Sequence, residues 1–468
     1  MIATALGLEL RALLRSRGRL LALLAFLGLG VLALWSGRAH VERWEGAIQE
    51  ARAEEAESLS EARGWLEAGA SGPEDRPWVD LSQPRWQDSY AATRMMRAPS
   101  DLAGIAFAAA EDGPLAMRVY RGSDPLLAAG SRVENPELAH AGGLDLVSVL
   151  TLLLPLLVLA LGLEVGGYER ATGLQRLVQV QSGRDRSWIV ARAIAVGLIG
   201  TAAALALCVL AAVWGGTAGA LTLVALTLVY GAVWTAALAA VAVRAQHPAQ
   251  GAVSLGVLWI LVCVIAPAIG VERSAALAAD DFGVELSVEA RDASYALSGV
   301  EASEARDRLL ERFPEFADSP YALAEEPPRS AGRAVGDGLR LLELEARAQT
   351  RVERDAAQTT LLDRLAWGSP ALALTRALEG LGGRGAEAAA GFRDAVQGAT
   401  TERVRLLLEH TFRLERVGAE EFETLVSAVP GEFRWQGGLP GRELGVLLSW
   451  ALGLGLLARF APRRGAVA

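Results

Sequence analysis

Lysine is missing altogether: none occurs in the 468 residues, so all 45 basic side chains are arginine. That absence excludes the lysine of a P-loop, and no GxxxxGK[ST] motif occurs. Schiff-base and lysine-base chemistry go with it. Cysteine is nearly missing too. The two present, Cys208 and Cys263, lie inside apolar runs and read as core residues. The polar segments therefore hold neither disulfides nor thiolate zinc sites. The four histidines are His40, His140, His247 and His410, and no HExxH occurs. His40 and His140 supply only two ligands between them, so no metal site is assigned. No GxSxG or separated DxD suggests hydrolysis or glycosyl transfer, so no catalytic residue is assigned either. A net charge of -9 argues against a nucleic-acid partner.

What the chain does have is long apolar runs. It is 52% hydrophobic, with a mean hydropathy of +0.29. Six runs approach or reach the length of a membrane-spanning helix, which predicts an all-α membrane protein. They are 18–37, 144–163, 188–214, 218–243, 251–270 and 441–460. Pro155 falls within the second and predicts a kink. The third and fourth are joined by GGTAG and predict a hairpin. Trp35, Trp188, Trp214 and Trp450 fall near span ends, as in an aromatic belt. Asp145 and Arg192 lie near span ends, where they can snorkel or sit at the interface.

Residues 1–19 precede the first span and carry Arg11, Arg15, Arg17 and Arg19. They predict an amphipathic interfacial helix, with Ile2, Leu6, Leu10, Leu13 and Leu14 on its apolar side. The alternative, a signal peptide, is disfavoured by a poor small-residue cleavage site and by the spans that follow. Arginine also gathers in 164–187, 244–250 and 461–468. With six spans, all these flanks share one face. The positive-inside rule makes that face, and both termini, cytoplasmic.

Two long segments, 38–143 and 271–440, then fall outside the membrane. Both are expected to be largely helical. Residues 42–68 lack proline and are rich in Ala, Glu and Arg, whereas the Pro- and Trp-rich stretch after them reads as loop. Further helices are predicted at 301–312, 330–366, 370–381 and 385–428. Ser369-Pro370 is a favoured helix start. Alternating acids and arginines on these helices read as solvated faces with ordinary ion pairs.

Between the second and third spans runs GYERATGLQRLVQVQSGRDRSWIVAR, Gly167 to Arg192. An acid, a glycine, apolar residues, a polar residue and then arginines follow in order: Glu169, Gly173, Leu174 with Leu177, Gln181, Arg184 with Arg186, and Arg192. The Glu-to-Gly spacing resembles the cytoplasmic loop of ABC-2 type transporter permeases. A proline often seen before the basic residue is replaced here by QSGR. The amino-terminal segment resembles that family's interfacial connecting helix. The stretch WGSPALAL, Trp367 to Leu374, with the helix ending near Phe392, resembles the subgroup with large extracytoplasmic insertions, the DUF3526 type.

The resemblance implies a permease in a bacterial cytoplasmic (inner) membrane. It implies export, and pairing with a second copy or a related permease. Residues 164–187 would hold a coupling helix docked on a separate ATPase, with ATP and Mg bound by that partner. The eight residues from Glu169 to Arg192 would carry the coupling. Membrane lipids and an extracytoplasmic protein are further expected partners. Three other readings stay open: a loop serving topology alone, a non-transporting scaffold or signalling protein, and a membrane enzyme acting on lipid near His40 and His140.

Overall fold

A computed structural model describes residues 1–69, 72–107, 114–126, 143–182, 185–277, 283–325 and 329–460. The chain is almost wholly helical. Among the described residues, six helices are long and apolar enough to cross a membrane: Arg17–Glu67, Leu146–Ala171, Arg186–Gly215, Ala220–Ala242, Pro248–Gly270 and Gly441–Arg459. They are spans 1 to 6 below. Outside them lie α1 (Ile2–Arg15), α2 (Pro84–Tyr90), α3 (Leu174–Ser182), α4 (Gly283–Ser298) and α5 (Ala302–Arg312), then α6 (Arg329–Ala366), α7 (Pro370–Leu381), α8 (Ala386–Phe412) and α9 (Ala419–Ser427).

Span 1 does not stop where its apolar run stops. It continues without a break through 42–68 as one helix of 51 residues. At about 1.5 Å per residue that is roughly 75 Å, more than twice a bilayer core. No proline interrupts it, and Gly37 lies against the backbone carbonyl of Gly104, a contact that any Cβ would block. Chain emerging from the membrane is thereby held against the outer segments.

Span 2 answers the question of Pro155. A π-helical turn, Val149–Leu153, precedes the helix in which Pro155 occupies the first turn. The wide turn opens the backbone hydrogen-bond ladder just before the proline, where its ring would clash with a preceding carbonyl. A second π turn, Ile260–Ile265, interrupts span 5. Loosened carbonyls in both turns take side-chain donors. Tyr230 Oη donates to the Thr151 carbonyl (2.7 Å), Trp259 Nε1 to that of Leu152 (3.1 Å) and Ser369 Oγ to that of Val262 (2.7 Å).

Ser369 also caps α7, accepting from the Leu372 amide at 3.0 Å, with Pro370 in the first turn. Ala371, Leu372, Leu374 and Leu378 of α7 are buried in the same apolar core as the spans. Both cysteines are free and buried in that core.

The outer segments interlock. A three-stranded sheet has the order β2-β1-β3, with β1 Thr93–Ala98, β2 Ala116–Val119 and β3 Glu432–Arg434. β1 pairs antiparallel with β2 and parallel with β3, Met96 opposite Glu432. So the first segment contributes two strands and the second contributes one. Trp44 Nε1 donates to the Arg97 carbonyl at 2.9 Å, and Arg97 reaches the Gly383 carbonyl at 2.8 Å. Asp88 and Arg403, both fully buried, pair at 3.0 Å across the same boundary.

One helix expected at 385–428 is two, α8 and α9. The break falls at Leu414, whose φ of 56° lies in the left-handed region, and Gly418 begins α9. Helix α4 was not marked by the sequence pattern at all.

Candidate functional site

Four charged side chains meet where α1, the loop and spans 1 and 3 converge. Glu9 lies on α1, Arg19 in the first turn of span 1, Glu169 in the last turn of span 2 and Arg192 in span 3. All four are buried. Arg19 pairs with Glu9 at 3.1 Å, and Arg192 pairs with the other oxygen of Glu9 at 2.5 Å. Arg192 also pairs with Glu169. A fifth group, Glu164, meets Arg19 at 2.7 Å from a position 58% exposed. Two acids and two arginines thus neutralise one another inside, as buried charges at a membrane interface require. Arg192, expected to snorkel or sit at the interface, is instead held inside by two carboxylates, Glu9 and Glu169. Asp145 is also buried, and its carboxylate caps span 2 by accepting from the Ser148 amide at 2.8 Å.

Local sequence sets this geometry. On α1, Ala5, Glu9 and Leu13 are the buried residues, four apart and so on one face. Ala5 packs against Ala191 and Ala195 of span 3, where small side chains let the two helices approach closely. Ile2, Leu10 and Leu14, three of the residues expected on its apolar side, are exposed. That outward apolar face suits a helix lying in an interface. The Ser16 hydroxyl then accepts from the Arg19 amide at 3.4 Å and starts span 1.

Span 2 turns out of the membrane at Gly166, where φ is +80° and the backbone of Ala242 leaves no room for a Cβ. Glu169 Oε2 accepts from the Gly166 amide at 2.7 Å, which leaves Oε1 for Arg192. Arg170 donates to the carbonyls at the end of span 4, Ala242 at 2.8 Å and Val243 at 2.7 Å, and also Ala245. Gly173 has a φ of +73° in open space and separates this short turn from α3.

Helix α3 carries its apolar side chains outward. Leu174 (46%), Leu177 (56%) and Val180 (86%) are exposed at three-residue intervals, hence along one face. The side chain of Gln181, and Arg184 altogether, lie outside the described residues. Arg186 donates to the Ala458 carbonyl in the last turn of span 6 at 2.7 Å. Of the eight residues singled out in the sequence, the structure brings together Glu169 and Arg192. Leu174 and Leu177 share the exposed face, with Gly173 at its start.

Sequence reading missed Glu9, Arg19 and Glu164, and took Arg170 as topology alone. One signal was available: Glu9 is the only acid before Glu42. Of the alternative site at His40 and His140, only His40 is among the described residues. His40 stacks on Phe107 with ring centroids 5.6 Å apart.

Residues 287–427 match the family model described as a domain of unknown function, DUF3526. The match covers α5 to α9 and most of α4, in the second outer segment. No curated protein and no solved structure matches the chain.

Proposed function

We propose that this chain is the membrane-spanning subunit of an ABC-2 type, ATP-driven exporter. In this reading α3 is the coupling helix and docks on a separate ATPase, which binds ATP and Mg. The buried Glu9–Arg192–Glu169 bridge carries the proposal. It joins the turn before α3 to α1, to span 3 and, through Arg19, to span 1. A push received at Leu174, Leu177 and Val180 then reaches several spans through short, charged contacts instead of dissipating in a loop. The apolar face supplies a docking surface, and a chain without lysine has to borrow any P-loop activity.

The assembly would hold two permease chains, this one with its copy or a relative, in a bacterial inner membrane with both termini cytoplasmic. The outer segments would then face away from the cytoplasm, in contact with lipid and with an extracytoplasmic protein.

The test is co-purification with a candidate ABC ATPase, and measurement of ATPase stimulation in proteoliposomes. Leu177→Asp changes an exposed residue and should leave the fold intact. It is expected to abolish both the complex and the stimulation. Arg192→Glu is expected to keep the complex while losing stimulation, and Glu169→Arg added to it should restore part. A complex and stimulation unaffected by all of these would sink the coupling role and favour a scaffold.

A further inference from the structure

A groove of about 840 Å³ lies remote from the charged cluster. It follows span 1 from Leu34 to Arg52, and the segment 98–105, the end of span 3 and β3 close its other sides. Eighteen helical steps make it roughly 27 Å long. Its volume lies within the common range for small-molecule sites, about 300–1,000 Å³.

Polarity changes along its length. The end nearer the apolar run is lined by Leu34, Leu102, Ile105 and Ala211, all buried, and by Trp214. Toward the other end the lining turns charged. Glu42, Glu45 and Glu432 stand there against Arg38, Arg52 and Arg434, while Asp101 lies beside Gly215 and Gly216, next to Trp214.

Each guanidinium already has a carboxylate partner. Arg38 pairs with Glu42 at 2.9 Å, and Arg52 at 2.8 Å and Arg434 at 2.9 Å share Glu432. Glu45 is exposed and has no ion-pair partner among the described residues. The groove therefore offers a cation an unpaired carboxylate, while every guanidinium an anion could meet already holds an acid. The apolar end offers a tail a place continuous with the membrane-spanning surface.

We infer that this groove binds an amphiphile whose polar end bears an amine, with the ammonium at Glu45 and the apolar tail along Leu34 and Trp214. Taken with the transport reading, on which it rests for the word cargo, this names the substrate class. Binding itself is independent of the ATPase. Such a ligand could be an aminophospholipid of the bilayer or a free cationic amphiphile.

Native mass spectrometry of the full chain, released from a non-ionic detergent, separates these sources. The probes are lysophosphatidylethanolamine, dodecylammonium and lysophosphatidylglycerol at equal concentration. One amine-bearing probe per chain is expected, with lysophosphatidylglycerol bound about fivefold more weakly or worse, the scale of one exposed ion pair. Uptake of lysophosphatidylethanolamine alone identifies a lipid headgroup, and of dodecylammonium alone a free amine; uptake of both supports the shared chemistry.

Glu45→Gln, at an exposed position, should weaken the amine probes about fivefold. Ala211→Phe, which fills the apolar end, should remove all specific uptake. Equal uptake of all three probes, or amine binding unchanged in Glu45→Gln, overturns the inference. ATPase stimulation that survives in a chain failing these binding tests would leave the coupling role standing and remove only the cargo class.

Discussion

Two buried arginines, Arg403 in the outer body and Arg192 in span 3, are held in different ways. Arg403 donates to Asp88 Oδ1 and also to the carbonyls of Asp88, Ala91 and Leu425, all at 3.0 Å. Three of its four bonds end on backbone, so it fixes the course of α2, the residues after it and α9. Arg192 meets only carboxylates, Glu9 and Glu169, on two other helices. Backbone anchors hold one arrangement of the chain. Side-chain anchors hold helix ends together while leaving each helix whole, so they can be exchanged without unfolding anything. The outer site is built as a weld, and the inner one as a joint.

The largest effect that separates them should come from Arg403→Met. It leaves the fully buried Asp88 with Arg121, at 3.6 Å, as its remaining cation and leaves three backbone carbonyls without their donor, a loss on the order of 3 kcal/mol. Thermal unfolding of the purified chain should fall sharply. Stimulation of the ATPase, counted per folded molecule, should stay within about twofold, since no carboxylate of the joint is touched. A loss of stimulation with unchanged stability would erase the distinction between weld and joint.

Next in size is a graded pair inside the joint. Glu9 is buried and serves two arginines, whereas Glu164 is 58% exposed and serves one. Glu9→Gln should cost about 3 kcal/mol or more at the α1 contact, because two guanidiniums lose their shared counter-charge. Glu164→Gln should cost at most about 1 kcal/mol, as exposed pairs do. Protection of α1 amides from hydrogen exchange reports both. Equal effects would mean that the network is not organised around Glu9.

How much of this was readable follows from where the information lies. The spans were legible because 20 or so apolar residues in a row have few alternatives. The α7 start at Ser369-Pro370 was legible because a cap is local. Glu9 was not, because its partner Arg192 is 183 residues away and a single acid on an arginine-rich helix resembles a surface residue. The π turn before Pro155 was hidden for a related reason: Tyr230 and Trp259, which take up its carbonyls, belong to other spans. The uninterrupted course of span 1 was masked by composition, since an apolar run and a charged run look like two elements even when one helix carries both. Of the candidate site, sequence supplied the loop and the acid–glycine spacing. The meeting of four helices had to come from the fold.

The smallest expected effect tests the backbone-anchored side of the comparison with acid. Glu421, at the start of α9, accepts from the Gly418 amide at 2.7 Å. That backbone bond holds its carboxyl below the ordinary carboxylate range. A carboxyl with a depressed folded-state value stabilises the fold in its ionised form. Its contribution is fully present above the unfolded value of roughly 4.3 and is lost as pH falls through the lower folded value. Glu421→Gln lacks that titration, so wild type and variant should differ most in melting temperature above about pH 5 and converge as pH falls toward about 3. The anchor is one bond at an exposed helix start, so the shift should be small beside that of Arg403→Met. A difference that grows on acidification would reverse the sign and show that the Gly418 amide is not what holds the start of α9.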